Sequence, residues 1–298
     1  MPDEEAVNGS GALMRLVFPV GAHKTGTSLV QTYLQRSARR RVASGIAVVP
    51  RHHVHELIGW GATVLRHPEH LRRRIEAEAR RHPAVLVVSD ECSLGRPFED
   101  GMAGMYPRAP ELAAALARVS EGFDTRVVMY LRPVADFVES YYLQTIHEGA
   151  AHTFEEWFAG LDAESLSWSP AVEGLRAAFG GHAVEIGDFR EFEFGQSLFL
   201  RRFLERAGIA PWTTVRHRYH SNPSVSQAGL KLALERNSLF ATVEERRAWR
   251  RHLQDRYSNL DGPRARPMPP QVRMMLESTA ALEYEHLTRR VPAIDAAR

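Results

Sequence analysis

The chain has 298 residues, of which 44% are hydrophobic and 25% charged, a composition that excludes a disordered or fibrous class and is ample for a sizeable core. The 38 basic residues nearly balance the 36 acidic ones, for a formal net charge of +2, so there is no global electrostatic argument for nucleic acid as a partner. The single cysteine, Cys92, excludes an intrachain disulfide and a cysteine-based metal site, and it suits a reducing compartment.

Residues 1–12 are polar and acidic and read as a flexible leader, closed by Gly9, Ser10 and Gly11. No apolar segment of signal-peptide or membrane-spanning type is present, so a cytoplasmic protein with no membrane insertion is expected. Residues 13–20 form the first predicted strand. It runs into Gly21-Ala22-His23-Lys24-Thr25-Gly26-Thr27-Ser28, and a helix is predicted from Thr27 to Gln35. A strand, a short loop and a helix N-terminus make an anion site, because the first N–H groups of a helix lack intrahelical partners and its dipole favours negative charge there. Gly21 and Gly26 permit tight turning and close approach, Lys24 adds a point charge, and Thr25, Thr27 and Ser28 add hydroxyls. The loop departs from the nucleotide-binding G-x-x-x-x-G-K-[ST] pattern, since Lys24 precedes Gly26.

A short strand at 46–49 follows, closed by Pro50, then predicted helices over 54–65 and 68–81. The basic clusters 39–41, 72–74 and 80–81 read as solvated helix faces. His52, His53 and His55 lie close together, but one short polar run does not supply a full ligand set, so no metal is expected. The apolar strand 84–88 ends in Ser89-Asp90-Glu91, a position for an active-site carboxylate or for loop capping. Residues 92–110 are irregular, and a helix resumes at 111–119.

The strand 125–131 leads into Arg132-Pro133, with proline suited to a first helical turn, and Ser140 lies eight residues beyond the arginine. The lysine loop followed by this strand-arginine-helix-serine unit resembles the sulfotransferases that use 3′-phosphoadenosine 5′-phosphosulfate (PAPS), nearer the bacterial and carbohydrate-type branches than the cytosolic phenol type. The resemblance implies that residues 21–28 hold the 5′-phosphosulfate, that Arg132 and Ser140 bind the 3′-phosphate, that the product is 3′,5′-adenosine bisphosphate (PAP), and that no metal is required. It implies a P-loop-like α/β architecture and a sulfuryl transfer from PAPS to a hydroxyl or amine of a small-molecule or glycan acceptor. The wealth of alanine and arginine suits a GC-rich bacterial genome. The later Arg-Lys-Gly motif of cytosolic members is missing, and Arg264-Ala265-Arg266-Pro267 is the stretch that could replace it.

Further helices are expected at 154–158, 170–179, 198–207, 227–236, 243–255 and 271–287, with a strand at 183–186 and Asn222 or Ser224 as a helix cap. Continuously apolar strands alternating with helices indicate an α/β fold with a parallel sheet covered on both faces, as one domain over 13–298 with a mostly helical C-terminal part. In such a reaction Lys24 would neutralise charge on the leaving oxygen, and Glu91, then His23, then Asp90 are the side chains considered for the base. The loop 92–110 and the helices between His52 and Arg81 are expected to line the acceptor pocket, where Phe98, Met105 and Tyr106 could contact an apolar group or pack the loop down. Two other classes fit part of the pattern: a P-loop kinase or NTPase with Asp90 and Glu91 as its Mg²⁺-binding strand end, and a PAP-binding relative without catalysis.

Overall fold

The computed structural model describes residues 14–210 and 223–289. Five strands, β1 (Arg15–Pro19), β2 (Ile46–Val49), β3 (Val85–Val88), β4 (Asp124–Leu131) and β5 (Val184–Asp188), form one sheet in the order β2-β3-β1-β4-β5. Every pairing is parallel, with Arg15 opposite both Val85 and Asp124. Successive side chains of a strand point to opposite faces. Leu16, Phe18, Leu86, Val88, Val127, Met129 and Leu131 therefore join one buried cluster, while Val17, Val85, Val87, Val128 and Tyr130 join another. Both faces need helices to exclude water, and that requirement is why these strands read as unbroken apolar runs.

Helices α1 (Thr27–Arg36) and α10 (Gln196–Arg206) cover the second face through Leu29, Val30, Tyr33 and Leu34, and through Phe199, Leu200, Phe203 and Leu204. The other face carries α5 (Pro68–Ala79), α6 (Ala109–Val119), α7 (Val134–His147), the short α8 (Phe154–Phe158) and α9 (Ser169–Phe179), while α2 (Ala38–Ala43) follows α1 and buries no residue. The C-terminal helices α11 (Gln227–Arg236), α12 (Val243–Arg256) and α13 (Pro270–Thr288) add Leu230, Leu253, Leu276 and Tyr284 to the same cluster. They are also tied by charge. Glu139, buried in α7, accepts from Arg266 and Arg273 at 3.1 and 3.0 Å. A carboxylate taken out of water needs such partners.

The strand order places the loops after β1, β3 and β4 side by side at the carboxyl edge. There the chain leaves β1 towards β2 on one side and later crosses to β4 on the other, the crevice where open parallel sheets bind ligands. Several expectations are corrected. The predicted helix over 54–65 is two pieces, α3 (Arg51–Ile58) and α4 (Ala62–Arg66), separated by a turn at Gly59–Gly61 in which Gly59, Trp60 and Gly61 all have positive φ. Periodicity alone ran across this break because the flanking apolar residues stay in phase. Ser226, rather than Ser224, caps α11, its hydroxyl accepting from Gly229 N–H; Asn222 lies outside the described residues, as do the leader and Leu13. None of the described helices is long and apolar enough to cross a membrane.

Candidate functional site

A cavity of about 600 Å³ opens at the carboxyl edge of the sheet. His23, Lys24, Gly26, Thr27 and Ser28 line it from the loop after β1, and Glu91 and Cys92 from the loop after β3. Helix α7 contributes Tyr141, Gln144 and His147, and α12 contributes Arg250 and Gln254.

The loop after β1 is built by local bonds. Thr25 is buried, and its hydroxyl donates to Ala22 O at 2.5 Å, which closes the turn. Its hydroxyl proton is thus spent inside the loop, and Gly21, Ala22 and Thr25, expected as ligand-binding residues, shape the turn and do not line the cavity. A Cβ on Gly21 would meet Thr27 Oγ1 at 2.7 Å, so close approach requires glycine there. Gly26, at φ +86°, starts α1, and its carbonyl takes the N–H groups of Leu29 and Val30. The first-turn N–H groups of Thr27 and Ser28 precede this ladder, and no acidic residue stands in the first turn to compete with an incoming anion.

Lys24 itself has φ +63°, and its ammonium donates to Gln144 Oε1 at 3.1 Å. Burial, with Arg132 and Arg250 nearby, lowers its pKa to about 8. Arg132, at the end of β4, donates through Nη1 to Lys24 O at 3.2 Å, and its guanidinium lies over the Phe189 ring. The two motifs that lie far apart in the chain therefore meet. Burial works against the charge of Arg132, and the second opposing influence is Arg264. Arg264 is itself held below its usual range by burial and then by Arg266, and its Nε is buried with no hydrogen-bond partner among the described residues. Of the basic stretch 264–267, then, Arg264 is near enough to oppose the charge of Arg132, while Arg266 is engaged by Glu139. Ser140 is buried two turns into α7, and neither it nor Arg132 nor Arg264 lines the cavity, which the lysine loop reaches through Lys24.

The acidic side is fully engaged. Glu91 forms a two-pronged ion pair with Arg51, in which Nε donates to Oε2 at 3.2 Å and Nη2 to Oε1. Asp90 has no exposed surface; its Oδ1 accepts from Cys92 N–H at 2.7 Å and its Oδ2 lies 3.1 Å from His55 Nδ1. The His55, Asp90 and Cys92 ligand atoms lie within 4.8 Å of one another, the spacing of a metal site. Burial and then the charges of Asp90 and Glu91 push the Cys92 thiol far above its ordinary range, the opposite of what a thiolate ligand needs.

His23 is held by Tyr106, whose hydroxyl oxygen accepts the His23 backbone N–H at 2.7 Å and lies 2.8 Å from Nδ1. Burial lowers the pKa of His23 to about 4, partly opposed by Glu91, so the ring is neutral at pH 7. His147 is lowered to about 4 as well, by burial and then by Lys24 and Arg250. Trp60 stacks on His23 at 5.6 Å between ring centroids and meets His55 edge-on at 6.0 Å. Tyr106 and Met105 are fully buried and Phe98 packs on Phe137, Tyr141 and Trp157, so the loop 92–110 is packed down rather than presented to the cavity, which it meets only through Cys92. His55 and Trp60 come from the stretch 52–81 expected to line the pocket, whereas sequence reasoning missed Arg51, Gln144, His147 and Arg250 as wall residues. Of these, Gln144 and His147 left a signal, because they share with Tyr141 a helical spacing of three.

No family model and no curated relative matches the sequence. Among solved structures, the chain is similar to a crystal structure of a sulfotransferase from Alicyclobacillus acidocaldarius, at 18% sequence identity and a TM-score of 0.48, over 78% of this chain and 98% of that one.

Proposed function

We propose that the protein is a PAPS-dependent sulfotransferase that moves a sulfuryl group to a hydroxyl or amine of a small-molecule or glycan acceptor. The observation that carries this reading is the hydrogen bond from Arg132 to the Lys24 carbonyl, with Arg264 near enough to oppose the charge of both Lys24 and Arg132. Three neighbouring cations, each destabilised by burial, suit a ligand with several phosphate charges. The Nε of Arg264, without a partner among the described residues, is a donor such a ligand would satisfy.

PAPS, when bound, supplies an activated sulfuryl group on its 5′-phosphate. Residues 21–28 would hold that end, Lys24 neutralising charge on the leaving oxygen and the N–H groups and hydroxyls of Thr27 and Ser28 sharing it. Arg132 and Ser140, with Arg264, would hold the 3′-phosphate. Glu91 and His23 flank the acceptor side, where either could receive a proton, although Arg51 occupies the first and a neutral pairing with Tyr106 the second. A kinase or NTPase reading has less support, because both oxygens of Asp90 are engaged and Thr25 bonds its own loop.

The test is a thermal-shift titration with PAP. Specific binding raises the melting temperature with the logarithm of ligand concentration, and no rise at millimolar PAP in folded protein overturns the reading. A PAP-binding relative without catalysis would give the same rise and release no sulfate from PAPS.

A further inference from the structure

Resting on that reading, we propose that His55 is the base that takes the acceptor's proton, and that the fully buried Asp90 is its positioning residue. His55 comes from the first turns of α3, lines the cavity, and has 40% of its side chain exposed. Its Nδ1 lies 3.1 Å from Asp90 Oδ2. A carboxylate there accepts the Nδ1 proton and fixes the tautomer whose Nε2, at the opposite corner of the ring, carries a free lone pair. Among the described residues no hydrogen bond occupies that nitrogen.

Asp90 is held in turn. Its Oδ1 accepts from Cys92 N–H, and the Ser93 hydroxyl donates to Asp90 O at 2.7 Å, so the carboxylate cannot swing away from His55. Burial pushes its carboxyl above the usual range against the pull of the Cys92 N–H and of His55. An imidazolium formed beside it would compensate a charge that the surroundings compensate poorly.

The neighbouring alternatives lack this arrangement. Glu91 has both oxygens on Arg51. His23 would become an imidazolium in a buried position next to Lys24, which lowers its affinity for a proton. Trp60 spans the gap between His55 and His23, so His55 lies two ring contacts from the residue that precedes Lys24.

In the transfer step the acceptor oxygen forms a bond to sulfur while the sulfur–oxygen bond to the 5′-phosphate breaks. The bonding pair leaves with the phosphate oxygen beside Lys24, and the acceptor's proton passes to His55 Nε2 and later to solvent. No oxidant, reductant or metal enters the balance. The titratable and charged groups around His55 are Asp90, Glu91 and Cys92 from the loop after β3, Arg51 from its own helix, and His23 from the loop after β1 across Trp60.

The experiment compares wild type, His55→Gln, Asp90→Asn and Glu91→Gln by three measurements. A PAP thermal shift reports on cofactor binding; its absence in wild type removes the sulfotransferase reading, whereas its retention in His55→Gln isolates the present claim. PAP formation from PAPS, with water and glycerol as acceptors, is expected to fall about 100-fold or more in His55→Gln, with the acid limb of the pH–rate profile abolished. Asp90→Asn should shift that limb to lower pH, which a purely structural role would not do. Peptide-resolved carbethoxylation by diethyl pyrocarbonate decides independently of turnover: His55 should react faster than the other histidines, and more slowly in Asp90→Asn. Turnover within threefold of wild type in His55→Gln, a deeper loss in Glu91→Gln, or a His55 modification rate indifferent to Asp90→Asn overturns the proposal.

Discussion

Lys24 combines a left-handed backbone, a buried ammonium and two neighbouring guanidinium groups, Arg132 and Arg250. Each is unfavourable by itself, and on the proposed reading a bound anion would relieve the electrostatic part. Of the four described non-glycine residues with positive φ, Lys24, Trp60 and Tyr106 stand at this site, where strain is commonly tolerated because the surroundings hold it in place. With the lysine pKa near 8, the stabilisation by PAP should shrink as pH rises from 7 to 9.5, because the ammonium discharges. A shift that is flat over that range would disconnect Lys24 from the anion. Lys24→Ala should lower sulfate release from PAPS by about 100-fold or more while the protein stays folded, since the variant removes a desolvated charge. A loss of tenfold or less would argue against a role at the leaving oxygen.

At the scale of elements, the turn between α3 and α4 aims residues into the cavity. Gly59 and Gly61, at φ +55° and +89°, flank Trp60 and let the chain reverse so that its indole meets both His23 and His55. A Cβ on Gly61 would sit 2.7 Å from Leu112 Cδ2, at the packed face of α6. Gly61→Ala should therefore cost about 1–3 kcal/mol of stability from backbone strain and overpacking, measured by denaturant unfolding. A change below ~0.5 kcal/mol would mean that the turn is free to rearrange. Helix α7 is placed comparably: β4 delivers Arg132 at its end, Pro133 caps the start, and the indole N–H of Trp168 donates to Arg132 O at 2.8 Å. The residue and the helix that follows are thereby fixed against the lysine loop.

The whole molecule carries a pH dependence built into the cavity wall. His23 and His147 are neutral in the folded protein, with pKa values near 4, and reach an ordinary value near 6.5 when the chain unfolds. Between those limits the unfolded chain binds more protons, so stability is complete above pH 6.5 and is lost as pH falls towards 4. The melting temperature should drop over that interval, and His147→Leu should lose less of it between pH 7 and 5 than wild type does. Equal losses would show that His147 is not among the groups responsible. The same cavity joins the sheet edge to α12, and Glu139 binds the C-terminal segment to α7 through Arg266 and Arg273, so the N- and C-terminal parts share one core and one ion network.

How much of this was legible beforehand depended on the range of the interactions. The parallel sheet was legible because strands such as Val85–Val88 must be apolar on both faces, and the anion loop was legible because glycine, lysine and hydroxyl residues at a strand-to-helix turn have few other uses. Helix bounds such as Phe154–Phe158 and Gln227–Arg236 followed from local periodicity. The partnerships had to wait for tertiary structure: Thr25 spending its hydroxyl on Ala22, Arg51 closing on Glu91, Asp90 turning to His55, and Arg264 arriving near enough to oppose the charge of Arg132. Local pattern determines which backbone a segment prefers. Which charged groups face each other across 35 or 40 residues, as His55 with Asp90 and Arg51 with Glu91 do, depends on how the strands are ordered and where their loops converge, and the packing of the whole chain decides that.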